Sequence, residues 1–343
     1  MSGILNIAVV GCGYWGPNLI RNFNQNVTCR MKVACDLRKE RLDHIAELYP
    51  GIEITRDYKD IVRNNAIDAV AIATPVYTHF SLAMEALGNG KHVLIEKPMA
   101  STTKQCIELI EYAKKQDRIL MVGHTFEYTS AVNKAREIFQ SGELGDILYI
   151  YSMRVNLGLF QNDINVIWDL APHDISIIIY LLGKAPETVG AYGKAHFKGG
   201  IEDVATITLD FGNGAVAFVH SSWLDPNKIR LTNVVGTKKM LVYDDISPNE
   251  KIKIYDKGVE VPPHYDTFAD FQFSYRYGDI IIPRLQEYEP LRMECGHFLE
   301  CIRDKKVPRT DGINGLRVVS VLEAANTSIK NGGGMVPVIS YTI

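Results

Sequence analysis

No stretch of the 343-residue chain stays apolar for the length a bilayer span demands. The first residues run straight into a strand pattern, without the charged start, apolar run and cleavage site of a secretory leader. The expectation is a protein that neither crosses nor lies on a membrane. Charge of one sign is also missing. With 37 Lys and Arg against 40 Asp and Glu, the net charge is −3 and the pI near 6.3, too balanced for a chain built to grip nucleic acid or an anionic surface. Cysteine is sparse and unpatterned: the six, at 12, 29, 35, 106, 295 and 301, keep no metal-ligand spacing. They read as reduced thiols of a cytoplasmic protein, and no metal is expected. Internal repeats and low-complexity segments are absent as well. What remains is an ordinary globular composition, 46% hydrophobic and 22% charged, in a chain long enough for two domains.

The first half alternates strand and helix patterns. Ile4 to Val10 is an almost continuous apolar strand, running into Gly11-Cys12-Gly13-Tyr14-Trp15-Gly16 and then a helix through Leu19, Ile20 and Phe23. A G-x-G-x-x-G loop between strand and helix is the context in which a dinucleotide pyrophosphate meets a helix N-terminus. The first glycine permits the tight turn, the second lets phosphate approach the backbone, and the third lets the helix pack on the sheet. The second strand, Met31 to Cys35, ends in Asp36 and Leu37, near where an acid would bind an adenosine ribose. Asp36 could equally cap the next helix, and Arg38 beside it could receive a 2′-phosphate. Further apolar strands at Ala69–Ala73, His92–Ile95 and Ile119–Val122 imply a parallel sheet covered on both faces. Three polar features project from the carboxyl ends of these strands, where ligands of such sheets bind. They are Thr74-Pro75 with His79, Glu96-Lys97-Pro98, and Gly123-His124. A surface ion pair beside a turn is the plainer reading of Glu96-Lys97-Pro98; an X–Pro bond there can adopt the cis form.

The second half centres on Trp168-Asp169-Leu170-Ala171-Pro172-His173-Asp174, which opens the apolar run Ile175 to Leu182. Those apolar residues cover every face of a helix, so the helix is expected to be buried and to stop at Gly183. Asp169 and His173 stand one turn apart on one face. Pro172 is acceptable if it falls in the first turn, where N–H groups lack helical partners. Asp169 as an N-cap and His173 as a core histidine are the plainer readings. Arg154 and Asn156 share one face of the preceding strand, Ile147 to Val155, and either line a pocket or face solvent. After Gly183, strands at Val189–Phe197, Asp203–Phe211, Ala215–Ser221, Ile229–Val235 and Lys239–Tyr243, with Gly212-Asn213-Gly214 as a hairpin signal, imply an antiparallel sheet. Helices follow at Met293–Arg303 and Gly315–Ile329 on one side of it. Between lies Phe268 to Tyr288, rich in aromatic and basic residues including Tyr275, read as a loop.

Taken together, Gly11-x-Gly13-x-x-Gly16, Ala73-Thr74-Pro75 with His79, Glu96-Lys97-Pro98 and Asp169-x-x-x-His173 resemble the glucose–fructose oxidoreductase/inositol dehydrogenase (Gfo/Idh/MocA) family. The resemblance implies an α/β fold: a Rossmann domain over residues 1–123, then a domain over 124–343 with a large, mostly antiparallel sheet for substrate binding and oligomerisation. It implies hydride transfer between a nicotinamide and a secondary alcohol carbon of a sugar. It assigns Lys97, Asp169 and His173 to catalysis, and implies a cis Lys97–Pro98 bond. Gly11, Gly13, Tyr14, Trp15, Gly16, Asp36, Leu37, Thr74, Pro75, His79, Glu96 and Lys97 would hold the cofactor. Lys97, His124, Arg154, Asn156, Asp169, His173 and Tyr275 would meet the substrate. The family often carries glycines before the aspartate; this chain has Asn165-Val166-Ile167-Trp168 instead. The 123–128 and 268–288 stretches are similar to the branch that oxidises C3 of a UDP-N-acetylhexosamine. A dehydrogenase of a free sugar or inositol is the alternative, and a non-catalytic dinucleotide-binding regulator the second. Asp36 favours NAD over NADP. A semi-polar outer sheet face suits a homodimer or homotetramer.

Overall fold

The computed structural model describes residues 3–158, 160–161, 163–212, 214–260 and 274–339. The backbone divides into two compact units. One comprises the residues up to Tyr128 together with Tyr288–Glu323; the other comprises Thr129–Glu287 with Ala324–Val338.

The first unit is built on β1 (Leu5–Val10), α1 (Gly16–Asn24), β2 (Cys29–Cys35), α2 (Lys39–Leu48), β3 (Glu53–Thr55), α3 (Lys59–Val62), β4 (Ala69–Ile72), α4 (Val76–Gly88), β5 (His92–Glu96), α5 (Thr103–Lys115) and β6 (Leu120–Gly123). The strands pair in parallel in the order β3-β2-β1-β4-β5-β6. The order reverses beside β1, which opens a crevice at the carboxyl ends of β1 and β4. The central strands are the most apolar because helices cover both faces: β4 is buried at every position, whereas edge strand β3 has no buried residue.

The parallel strands end with β6 at Gly123, and the first unit continues to Tyr128 and takes in a later segment. Helix α8 (Pro290–Asp304) returns to the first unit. Leu291, Cys295, Phe298 and Leu299 join the same core as Leu19, Ile20 and Phe23 of α1. Arg21 pairs with Glu289 through two hydrogen bonds, at 2.5 and 2.9 Å, at the head of α8. An apolar helix stripe goes where its complementary stripe lies, whatever its place in the chain.

The second unit holds α6 (Ser130–Gln140), β7 (Ile147–Leu157), α7 (Val166–Leu182), β8 (Thr188–Lys194), β9 (Val204–Asp210), β10 (Val216–Ser222), β11 (Leu224–Gly236), β12 (Met240–Asp244), β13 (Ile252–Glu260) and β14 (Ser274–Ile281). Helix α9 (Gly312–Lys330) is shared along its length between the units, and β15 (Val336–Pro337) closes the sheet. The strand order is β14-β13-β12-β11-β7-β10-β9-β8-β15, antiparallel except for β7 beside β10. Ala205, Ile207 and Leu209 of β9 point inward and are buried, while Val204, Thr206 and Thr208 face outward. The stretch read as a loop over 268–288 contains β14; residues 261–273 lie outside those described. Asn213 of the hairpin signal also lies outside them, while β9 and β10 do pair antiparallel.

Helix α7 begins earlier than expected. Asn165 caps it, its side chain accepting from the Trp168 N–H at 3.2 Å, so Asp169 is not the cap. Pro172 therefore sits inside the helix rather than in its first turn. It removes one backbone hydrogen bond, and the packing of an almost wholly buried helix compensates for the loss. Gly183 ends it at φ +73°, the left-handed cap anticipated. Among the described residues, no helix is long and apolar enough to cross a membrane.

Candidate functional site

The glycine loop of the first unit leaves little freedom of sequence. Gly11 stands at φ +92°, and a Cβ there would lie 2.5 Å from the Ala73 carbonyl oxygen. A Cβ on Gly16 would lie 1.9 Å from the Gly11 carbonyl oxygen, so the third glycine lets the loop close on itself at the start of α1 rather than chiefly packing helix on sheet. Gly13 is less constrained: its nearest neighbour is the Arg41 guanidinium at 3.2 Å. Tyr14 and Trp15 stack edge to face at 5.4 Å, and Tyr14 is 83% exposed.

Asp36 closes the far side of the loop. The Cys12 N–H donates to its Oδ2 at 2.7 Å and the Arg38 N–H to its Oδ1 at 2.9 Å. Arg41 lies 3.5 Å away. These contacts fix the carboxylate at the end of β2 and leave lone pairs for further donors. A cavity of about 400 Å³ opens here, lined by Gly11, Asp36, Leu37, Arg38, Thr74 and Pro75 among others. Its size, the backbone amides of a helix start and the carboxylate fit one end of a dinucleotide.

Deeper in the crevice the polar features hold one another. His79 is buried; its ring nitrogens lie 2.9 Å from the Pro98 carbonyl oxygen and 2.8 Å from that of Thr74. Burial lowers its pKa against the pull of those carbonyls. The imidazole thus ties the end of β4 to the loop after β5 and presents no face outward. The Lys97–Pro98 bond is cis, as the resemblance implied. Glu96 is buried against Gly123, where a Cβ would come within 3.2 Å of its Oε2, and burial pushes it up to about 7 against the nearby charge of Lys97. His124 is sealed inside, and burial aided by the Lys97 charge pushes it down to about 3. Neutral and enclosed, His124 is placed to shape the surroundings of Lys97 rather than to touch a substrate. Lys97 itself is half-buried.

In the second unit, the head of α7 separates its polar residues by face. Asp169 and His173 are half-buried on one face; Asp174 is buried on another. The Trp223 indole N–H donates to Asp169 Oδ2 at 2.9 Å. Arg154 is also buried: its Nε donates to Asp174 Oδ2 at 2.6 Å and its Nη2 to Oδ1 at 3.2 Å, and Ser152 Oγ donates to Oδ1 at 2.8 Å. Arg154 thus fastens β7 to α7 instead of lining a pocket. Asn156, on the same face of β7, is half-buried. Tyr275 is 68% exposed on edge strand β14, which β13, β12 and β11 separate from β7. Four strand spacings amount to roughly 19 Å, so the fold does not bring Tyr275 to the Asp169–His173 pair. Trp223 went unnoticed in the sequence, though a tryptophan ending an apolar strand signals an indole N–H in need of a partner. Asp174 was hidden by its neighbours in the motif. Among the described residues, no group of three or more His, Cys, Asp or Glu is placed to hold a metal ion.

Comparison with known proteins places this geometry. Residues 5–124 match the GFO/IDH/MocA oxidoreductase family, NAD-binding Rossmann fold, and residues 132–242 match the GFO/IDH/MocA C-terminal domain. The chain is 29% identical over 339 residues to UDP-N-acetylglucosamine 3-dehydrogenase of Acidithiobacillus ferrooxidans, covering 95% of this chain and 97% of that one. A solved structure of that enzyme superposes with a TM-score of 0.79 at 25% identity, over 95% of this chain and 98% of that one. The chain is 26% identical to scyllo-inositol 2-dehydrogenase (NAD⁺) of Bacillus subtilis, over 95% and 94% of the two chains. It is 29% identical to 2,7-anhydro-N-acetylneuraminate hydratase of Escherichia coli over 62% of this chain, and spans 60% of that relative. The glycine loop, the Glu96-Lys97-Pro98 turn and the Asp169–His173 helix stand within the matched segments, and the chain belongs to the GFO/IDH/MocA oxidoreductase family.

Proposed function

We propose that the protein is a cytoplasmic NAD-dependent dehydrogenase that oxidises a secondary ring hydroxyl of a sugar or cyclitol. The finer reading is C3 of a UDP-N-acetylhexosamine. The observation that carries the proposal is the head of α7: on a helix otherwise buried but for Leu170 and Leu182, the two ionisable side chains Asp169 and His173 remain half-buried, one turn apart. A buried helix keeps a carboxylate and an imidazole on one accessible face only at a cost in desolvation, which a catalytic pair explains.

Gly11, Gly16, Asp36, Thr74 and Pro75 would hold the adenosine and pyrophosphate end of the dinucleotide, and Asp36 would accept from the ribose diol. With the dinucleotide held at that end, its nicotinamide would supply the hydride acceptor. His173 takes the proton of the reacting hydroxyl, the general-base task that histidine fills most often. Asp169, held by the Trp223 indole, orients the site. By family resemblance Lys97 donates a hydrogen bond to the reacting oxygen and steadies its developing charge. The relatives acting on inositol and on UDP-N-acetylglucosamine match over equal shares of this chain, 95% each, which supports a ring polyol as the class.

The test is NADH formation with UDP-N-acetylhexosamines, dTDP-sugars, free hexoses and inositols, each offered with NAD and with NADP. Turnover with one ring polyol and NAD is expected. His173→Ala is expected to lower kcat ~10²–10⁴-fold while NAD affinity stays unchanged. NAD binding without turnover on any of these would favour the regulator reading, and tighter binding of NADP would reverse the cofactor choice. The outer, semi-polar face of the second sheet supports self-association as a dimer or tetramer. Light scattering that returns the 38.4 kDa monomer would refute it.

A further inference from the structure

Beside Asp169 the second unit presents aromatic rings to solvent. Trp223 is 1% exposed and gives its indole N–H to Asp169. Its ring meets Phe160 edge to face at 5.6 Å, and Phe160 meets Phe197 in the same way at 5.4 Å. The series runs outward from Asp169: Phe160 is 44% exposed and Phe197 75%.

The backbone is anchored at Phe197 and near Phe160. At Gly158, two residues before Phe160, a Cβ would lie 2.7 Å from Trp223 Cδ1, so only glycine lets the chain pass this close to the indole. The Gly158 N–H donates to the Trp223 carbonyl oxygen at 2.9 Å. The Phe197 turn is clamped by buried Asp203: its Oδ2 accepts from the His196 and Phe197 N–H groups at 2.7 and 3.1 Å, and its Oδ1 lies 2.7 Å from His196 Nδ1. Asp203 in turn accepts the Trp223 N–H through its carbonyl oxygen at 2.9 Å. Two adjacent phenylalanines exposed to water are unfavourable unless something apolar covers them. A pyranose or cyclitol ring has such a surface in the face that carries its axial C–H groups, and its hydroxyls point sideways to polar partners.

We propose that Phe160 and Phe197, braced by Trp223, form an aromatic wall on which the C–H face of the substrate ring lies, with its hydroxyl edge directed toward Asp169. The inference rests on the reading of the protein as a ring-polyol dehydrogenase and adds where the ring binds. Because the wall binds ground state and transition state alike, its loss acts on KM rather than kcat.

The experiment uses the NAD-loaded protein and the variants Phe160→Ala, Phe160→Leu and Phe197→Ala. With the best-turned-over polyol, Phe160→Ala is expected to raise KM about ten- to fiftyfold and to leave kcat within about twofold. Phe160→Leu, which keeps apolar bulk but loses the flat face, is expected to fall between. Saturation-transfer NMR with methyl β-D-glucopyranoside gives a readout independent of turnover. Irradiating the aromatic protons should label the axial ring protons H1, H3 and H5, and Phe160→Ala should lose most of that transfer. If the wild type turns over no polyol but the labelling is present and falls in Phe160→Ala, the wall stands and the dehydrogenase reading fails. Unchanged KM and unchanged labelling in both alanine variants, or no labelling of the sugar by the wild type, overturns the wall.

Discussion

Asp174 and Glu294 are buried carboxyls, one in each unit, and they are housed in opposite ways. Asp174 sits between Arg154, which grips both its oxygens, and the Ser152 hydroxyl. Glu294 has no cation among its described partners: Thr125 Oγ1 donates to its Oε2 at 2.7 Å, and the charges of Glu96 and Glu127 act on it unfavourably. Burial, reinforced by Glu96, raises the Glu294 pKa well above the carboxylate range. The first acid is stabilised as half of an ion pair, the second as a neutral acid. One fastens α7 to β7 and so fixes the helix that carries Asp169 and His173. The other packs α8 beside the loops that follow β5 and β6.

The largest effect should come from breaking the ion pair on one side. Arg154→Met leaves the Asp174 charge buried without its counter-ion. The expected loss is about 3–5 kcal/mol, seen as aggregation or a steep fall in the thermal midpoint. Arg154→Met with Asp174→Leu removes both charges and should recover most of that loss. A single variant as stable as the wild type would show that solvent reaches Asp174 and that the comparison is wrong.

The second expectation concerns pH. Glu96 and Glu294 bind protons more tightly in the folded chain than at their ordinary value of 4.5. Their stabilising contribution is therefore complete below pH 4.5 and is lost as pH rises toward the folded values, which for Glu96 is about 7. The slope can reach about 1.4 kcal/mol per pH unit for each group while it titrates. Glu294→Gln, uncharged at every pH, should flatten the decline of the thermal midpoint between pH 4.5 and 7. A wild-type slope that persists in the variant would remove Glu294 from the account.

The contrast also explains which parts of the molecule were readable from sequence. The parallel sheet was legible because its central strands are largely apolar and the glycine loop is contiguous; the short edge strand β3, Glu53–Thr55, is exposed and carries no such signal. Asp169 and His173 were legible because one turn of helix brings them together. The Arg154–Asp174 pair was not, since it depends on β7 lying under α7, a pairing between segments 20 residues apart. Glu294 meets Thr125 across 169 residues, and no local pattern announces a helix that returns to the first unit. Pro172 was misplaced because Asp169 looked like a cap while Asn165 held that position. Strand β14 escaped because an edge strand exposes Tyr275, Tyr277, Ile280 and Ile281 together, which erases the alternation that marks a half-buried strand.

The smallest and sharpest test removes only a hydroxyl from each centre. Ser152 donates to an acid held as an ion-pair partner, Thr125 to one held protonated. Hydrogen bonds to charged groups are worth about 1.5–3 kcal/mol and neutral ones about 0.5–1.5. Ser152→Ala should therefore cost more than Thr125→Val at mildly acidic pH, where Glu294 stays neutral. The Thr125 hydroxyl favours the ionised form of Glu294 and lowers its pKa. Removing it raises that pKa further, so the cost of Thr125→Val should grow as pH rises while that of Ser152→Ala stays level. The Thr125→Val curve of midpoint against pH should start above that of Ser152→Ala and fall toward it. Equal costs with no pH dependence would mean that both carboxyls carry the same charge state, and the division between the two centres would fall.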